Sequence, residues 1–266
     1  MIDDFAKTDL GFCTVYDDVP YGVARQGGKS IALHCSLYLP QDTASRPPLF
    51  VWFHGGAFKF GSYKQNMARR LGRRLSKMGI AVASVEYRLR GTAGDLSAGV
   101  AGNVDAYQRH RDKLIRPGLC EFRSLVALED GARFLAWAQD EAPRFGWSEK
   151  RVLGGSSAGG ITAFNIAFGS TPLGLPIPPV HGAFACSGGY NYPDFVNPRD
   201  DFRVLALHNP LETRVSVNGV RMLERKLGGQ MELLESDEHI HGHCDLNPDE
   251  PKARTYQRIA DFVGSC

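Results

Sequence analysis

With 266 residues, 43% of them hydrophobic and 23% charged, the chain has the composition of a soluble globular protein long enough to bury a full core. A formal net charge of +2 argues against a dedicated nucleic-acid binder, which carries a strong basic excess on one face. No apolar run approaches the length of a membrane span, so no membrane partner is expected.

The amino terminus, Met1-Ile2-Asp3-Asp4-Phe5, has neither a basic nor an apolar leader region. The six cysteines (Cys13, Cys35, Cys120, Cys186, Cys244, Cys266) are scattered and form no C-x-x-C pair. Both features read as reduced thiols in a cytoplasmic protein, although a secreted chain stripped of its leader would look the same.

After an extended amino-terminal part, Ile31 to Leu39 alternates like a half-buried strand and stops at Pro40; a polar, proline-bearing loop follows to Pro48. Leu49 to Phe53 is a continuous apolar run, the pattern of a strand buried on both faces of a parallel sheet. Similar runs recur at Ile80–Val85, Arg151–Leu153, His181–Cys186 and Val204–Leu207, with a shorter one at Met231–Leu234. Helical patterns lie between most of them. Met67, Leu71, Leu75 and Met78 interleave with Arg69, Arg70, Arg73, Arg74 and Lys77, which predicts an amphipathic helix with a solvated basic face. Leu125, Leu128, Ala132 and Leu135 mark a second helix, and Tyr256, Ile259, Ala260 and Val263 the last. This alternation predicts one α/β domain over 1–266, a doubly wound, mostly parallel sheet flanked by helices. The weakly periodic stretch at about 91–122 stands out as an insertion.

The chemistry concentrates at Gly155-Ser156-Ser157-Ala158-Gly159-Gly160. Gly155-x-Ser157-x-Gly159 is a nucleophile-elbow pattern, a serine on a tight strand-to-helix turn. Ser156 fits poorly because its own +2 position is Ala158. A serine hydroxyl needs a base for its proton and donors for the oxyanion it creates. His54-Gly55-Gly56-Ala57-Phe58 follows a buried strand, and the amides of Gly55 and Gly56, with that of Ala158, are candidates for the oxyanion hole. His54 and His208 read as structural, holding loops by hydrogen bonds.

His54-Gly-Gly-Ala-Phe, then Val85-Glu-Tyr-Arg-Leu89, then Gly155-Ser-Ser-Ala-Gly-Gly160 resembles, in that order, the α/β-hydrolase superfamily, and within it the hormone-sensitive-lipase-like and acetyl/feruloyl-esterase-like group. The resemblance covers most of the chain from about Leu37. One departure is Ser156, where these relatives usually carry Asp. The resemblance implies an α/β-hydrolase fold and a serine, acid, histidine triad in chain order. Glu212 matches the position of the acid. For the base, Ile240-His241-Gly242 resembles the lipase-like form and Gly242-His243 the form common elsewhere; His239 completes the alternation. His241 is preferred and His243 is the alternative. An H-x-H-x-H run without a paired carboxylate or C-x-x-C motif is weak for metal, so neither metal nor cofactor is expected.

The relatives' cap lies largely between the strands at His181–Cys186 and Val204–Leu207, where this chain has only a short aromatic connection. The implied lid-like excursion therefore falls at 91–122, with Tyr107 and Leu114 as lining candidates. The expected activity is hydrolysis of short-chain or small soluble esters through an acyl-enzyme. Amide or formamide hydrolysis, acyl transfer, or a non-catalytic ligand-binding role on the same fold are the alternatives.

Overall fold

The computed structural model describes residues 5–113 and 121–266. Its strands are β1 (Lys7–Asp9), β2 (Cys13–Gln26), β3 (Lys29–Pro40), β4 (Leu49–Phe53), β5 (Ala81–Val85), β6 (Arg151–Ser156), β7 (Gly182–Cys186), β8 (Arg203–His208) and β9 (Met231–Glu235). The helices are α1 (Asn66–Ser76), α2 (Ala98–Gln108), α3 (Phe122–Asp140), α4 (Ala142–Phe145), α5 (Ala158–Phe164), α6 (Asn218–Leu227) and α7 (Lys252–Ser265).

The strands form a nine-stranded sheet in the order β1-β2-β3-β5-β4-β6-β7-β8-β9. β1, β2 and β3 pair antiparallel, β3 meets β5 antiparallel, and every pairing from β5 through to β9 is parallel. The continuous apolar runs have a simple cause: β4, β5, β6 and β7 are buried along their whole length. Their side chains alternate between two layers. Leu49, Val51 and Phe53 join one cluster with Leu125, Leu128 and Leu135 of α3, whereas Phe50 and Trp52 join the other with Leu71 and Leu75 of α1 and Ile259 and Val263 of α7. Helices on both faces thus cover these central strands, which can be apolar at every position.

β4 lies between β5 and β6, so the chain reverses direction across the sheet there. In open parallel sheets, ligand sites form beyond the carboxyl ends of the strands at such a reversal. The loop after β4 begins at His54, and the turn after β6 carries Ser157.

The basic residues Arg69, Arg70, Arg73 and Arg74 are exposed on α1, while Ala68, Leu71 and Leu75 are buried. Met78 lies beyond the helix end and is exposed. Within the 91–122 stretch, α2 buries Val100, Val104 and Tyr107. Tyr107 packs on Tyr192 at 4.0 Å and stacks on Phe195 at 5.0 Å between ring centroids. The Asp112 amide donates to Asn191 O. The insertion is therefore tied to the connection after β7, and Tyr107 is a buried packing ring rather than an exposed lining residue. Leu114 lies outside the described residues.

The cysteine expectation needs correction. Cys186, at the end of β7, and Cys244 form a disulfide with Cα atoms 5.3 Å apart, across 58 residues of sequence. The loop after β9 folds back to the end of β7 and brings the two together, which spacing alone does not reveal. Cys13, Cys35 and Cys266 are free thiols, and Cys120 lies outside the described residues. The reduced-thiol argument for a cytoplasmic location loses that support. Among the described residues no helix is long and apolar enough to cross a membrane.

Candidate active site

The elbow is built by contact between backbones. Ser157 takes φ 53° and ψ −117°, a conformation that costs a non-glycine residue about 1–3 kcal/mol. A Cβ on Gly155 would stand 2.2 Å from the Gly159 carbonyl carbon, and one on Gly159 would stand 2.0 Å from Phe53 O. Both flanking glycines are thus demanded by close approach, Gly159 because α5 starts directly against the end of β4. The Ser157 amide donates to Cys186 O at 2.8 Å, which fastens the turn to β7.

His241 reaches this serine from the loop after β9. Its Nε2 lies 2.7 Å from Ser157 Oγ, and its Nδ1 lies 2.6 Å from a carboxylate oxygen of Glu212. Both side chains are largely buried, at 14% exposure for His241 and 8% for Glu212. Glu212 is held by its own loop: the other carboxylate oxygen accepts the Arg214 amide at 2.6 Å, and the Glu212 amide donates to Asn209 O. Burial works against ionisation of Glu212, but the Arg214 amide and the His241 ring outweigh it and hold the carboxyl below its ordinary range.

The other two histidines of the run go elsewhere. His243 is 41% exposed and faces Glu238 and Asp245 at 3.8 and 3.7 Å. His239 Nδ1 sits 3.5 Å from the Asn209 side-chain amide. Of the alternating imidazoles, His241 is the one brought to Ser157. Glu238, His243 and Asp245 do converge closely enough to hold a cation. However, Asp245 already takes the Lys252 ammonium and the Thr255 hydroxyl, and Glu238 takes the Ile240 amide.

The Gly55–Ala57 loop is oriented by its carbonyls. His54 Nδ1 donates to Gly55 O at 2.7 Å, and Gly56 O accepts the amides of Lys59 and Phe60. In a planar trans peptide the N–H points opposite to the C=O. Fixing the Gly55 and Gly56 carbonyls therefore aims the Gly56 and Ala57 amides the other way. Among the described residues, the amides of Gly55, Gly56, Ala57 and Ala158 donate to no protein acceptor. Gly55 lies against the elbow, since a Cβ there would stand 3.6 Å from the Ser157 Cβ, and Gly56 has φ +132° with no room for any Cβ. Ala57, which the sequence did not single out, has an amide set free by the same peptide geometry as that of Gly56.

Two buried histidines brace the site. His54 stacks on Tyr87 at 4.4 Å, and the Tyr87 hydroxyl donates to His54 O. Burial lowers the His54 pKa although the Gly55 carbonyl opposes it, which favours the neutral ring. His208 Nε2 donates to Val215 O at 2.9 Å, closing the loop that carries Glu212. Next to Tyr87, Arg88 is buried with Asp130 and Glu129 and also donates to the carbonyls of Arg25 and Asp95. This arginine ties the start of the insertion to α3 and β2.

Comparison with known proteins agrees with this architecture. Residues 35–98 match the BD-FAE family model. The chain is 28% identical over 174 residues to carboxylesterase 5A of Felis catus, covering 64% of this chain and 27% of that protein. It is 30% identical over 146 residues to carboxylesterase 5A of Homo sapiens, covering 54% of this chain and 21% of that protein. The chain therefore spans well under half the length of these curated relatives. Among solved structures, the butyrate-bound esterase Est2 of the planctomycete Thermogutta terrifontis superposes with a TM-score of 0.63 at 15% identity, over 94% of this chain and 92% of that one. Fold, motif order and sequence relatives agree: the chain has the α/β-hydrolase fold and is similar to proteins of the esterase/lipase group.

Proposed function

We propose that the chain is a serine carboxylic-ester hydrolase that works through an acyl-enzyme on short-chain or small soluble esters. The observation that carries this is the unbroken line Ser157 Oγ, His241 Nε2, His241 Nδ1, Glu212, with contacts of 2.7 and 2.6 Å, set beside backbone amides that have no acceptor of their own.

Each part has one task. Ser157 Oγ attacks the acyl carbon while its proton passes to His241 Nε2. Glu212 fixes the ring with its other proton on Nδ1 and stabilises the imidazolium. The amides of the Gly55–Ala57 run, with that of Ala158, receive the tetrahedral oxyanion. Collapse breaks the ester C–O bond, and His241 hands its proton to the departing alcohol. Water then attacks the acyl carbon, losing a proton to His241; the Ser157 C–O bond breaks, the acid leaves, and His241 returns that proton to Ser157 Oγ.

A cavity of about 380 Å³ borders the acid and base, lined by Asn209, Leu211, Glu212, Thr213, Arg214, His239, Ile240 and His241. Ser157 is not among its lining residues, so its volume does not set the size of the ester. The butyrate held by the Thermogutta esterase supports a short acyl group. The test is turnover of p-nitrophenyl acetate against its amide analogue, with fluorophosphonate labelling mapped by mass spectrometry. Ester turnover with label on Ser157, both lost in Ser157→Ala, is the expected result; ester turnover that survives Ser157→Ala overturns the assignment.

A further inference from the structure

The loop that carries His241 is long, and its sequence neighbours do not explain how the ring is held to within hydrogen-bond distance of Ser157. Gly242, the next residue, is gripped from both sides. The Ser156 hydroxyl donates to Gly242 O at 2.7 Å, and the Gly242 amide donates to the Ser187 hydroxyl at 3.0 Å. All three residues are buried. Gly242 takes φ +82°, and a Cβ on it would stand 2.6 Å from Ser156 Oγ, so the fit allows only glycine. Ser187 is itself held at φ 49°, with its amide on Leu207 O.

We propose that Ser156 and Ser187 are positioning residues for the base: a pair of hydroxyls that clasp the Gly242 peptide units and so set the aim of His241 at Ser157. This rests on the reading of His241 as the base. The clasp uses the two hydroxyls in opposite senses, one as donor and one as acceptor, which only a neutral hydroxyl can do at both positions. A carboxylate at 156 could not donate to Gly242 O. The serine there is therefore matched to this loop's peptide orientation, and Ser187 completes the match. Neither hydroxyl touches the reacting atoms. Their effect passes through one peptide to the neighbouring ring, where misplacement on the order of 1 Å lowers rate by about a hundredfold.

The experiment compares wild type, Ser156→Ala, Ser187→Ala and the double variant, with p-nitrophenyl acetate as substrate and active sites counted by fluorophosphonate titration. Circular dichroism and thermal melting confirm folding. Either single change is expected to lower kcat about ten- to hundredfold with KM within twofold, because ring placement affects the transition state more than substrate binding. The double variant is expected to fall little further than the worse single one, since both hydroxyls hold the one residue Gly242 through its two adjoining peptide units. The downfield Nδ1 proton signal of His241 should broaden in both single variants, which a merely structural role would not produce. If Ser156→Ala does not fold, Ser187→Ala, which keeps the elbow sequence intact, decides the matter alone. Folded variants with kcat within threefold of wild type and an unchanged proton signal overturn the clasp. That outcome, with Ser157→Ala inactive, leaves the esterase reading standing; an active Ser157→Ala removes the esterase reading itself.

Discussion

Glu212→Gln is the sharpest probe of the triad because the loop dictates how the new amide must lie. One carboxylate oxygen of Glu212 accepts the Arg214 amide at 2.6 Å, and the other meets His241 Nδ1 at 2.6 Å. A glutamine there must turn its amide oxygen to the Arg214 N–H, which leaves its NH2 facing Nδ1. The imidazole can then pair only by accepting at Nδ1, so its single proton moves to Nε2, the atom 2.7 Å from Ser157 Oγ. In that tautomer Nε2 cannot take the serine proton. Replacing the triad carboxylate by its amide in this arrangement lowers kcat by about ten thousandfold, which at 1.36 kcal/mol per decade is about 5.5 kcal/mol of lost transition-state stabilisation. KM should stay within a fewfold, since the oxyanion amides are untouched and glutamine keeps the size of the Glu212 side chain that lines the cavity. Glu212→Ala leaves Nδ1 to water and permits the productive tautomer, so it should be no slower than glutamine. Steady-state hydrolysis of p-nitrophenyl acetate, normalised to folded protein, measures both. A glutamine variant within tenfold of wild type, or clearly faster than the alanine variant, would refute the tautomer argument.

Four further outcomes follow from the packing. Arg88→Met strips the cation from Asp130 and Glu129, whose side chains are 0% and 4% exposed, and should cost about 3–5 kcal/mol in urea unfolding; a loss under 1 kcal/mol would show that the carboxylates find other partners. Gly159→Ala should abolish soluble folded protein, because its Cβ meets Phe53 O at 2.0 Å, whereas Gly229→Ala, with nothing within 4 Å, should be neutral. Cys244→Ala opens a loop of 58 residues and should destabilise by up to about 4 kcal/mol on the loop-entropy estimate, read by denaturant midpoint with and without reductant. Stability should also fall in acid. Asp245 and Glu250 are held below their ordinary pKa: burial opposes this, but Lys252 and Thr255 overcome it at Asp245, and Arg258 and the Leu246 amide at Glu250. A depressed folded-state pKa gives stability that is present above the unfolded value, 3.8 for Asp and 4.5 for Glu, and is lost as pH drops through the folded one. Urea midpoints from pH 7 to pH 3 should show this, and Lys252→Met should make the fall shallower.

The parts of the fold legible in sequence were those where one physical cause dominates a short window. Leu49–Phe53 reads as a central strand because both of its faces are covered, and Gly155-x-Ser157-x-Gly159 reads as an elbow because backbones touch there. The less legible parts are set by long-range or mixed causes. β2 runs 14 residues with Pro20 inside it and two register shifts against β3, so its alternation is broken and reads only as extended chain. α2 contains Gly99 and Gly102 and buries only three side chains, too few to produce a period. At the site, three histidines alternate in sequence and look equivalent. What separates them is the direction of the loop, which Gly242 and its two serine partners determine from 55 and 86 residues away. Serine hydroxyls bonded to a distant backbone leave no pattern in a single sequence, and neither does a disulfide between scattered cysteines.

The end of β7 accounts for why nucleophile and base keep their spacing. Cys186 O receives the Ser157 amide, the Cys186 sulfur binds Cys244, and the next residue, Ser187, receives the Gly242 amide. Two consecutive residues thus hold the elbow on one side and the base loop, on both sides of His243, on the other. The acid is attached at one remove: Asn209 receives the Glu212 amide at its carbonyl and gives its side-chain amide to Glu238 O in the base loop. Errors in the β7 anchor therefore act on the Ser157–His241 distance, where the proton moves. Errors at Asn209 act on the His241–Glu212 contact, where only orientation and charge are at stake. In the proposed mechanism the first distance must hold through both chemical steps, since the same Nε2 takes the proton from serine and later from water. It is also the distance to which the fold commits a covalent bond and two buried hydroxyls.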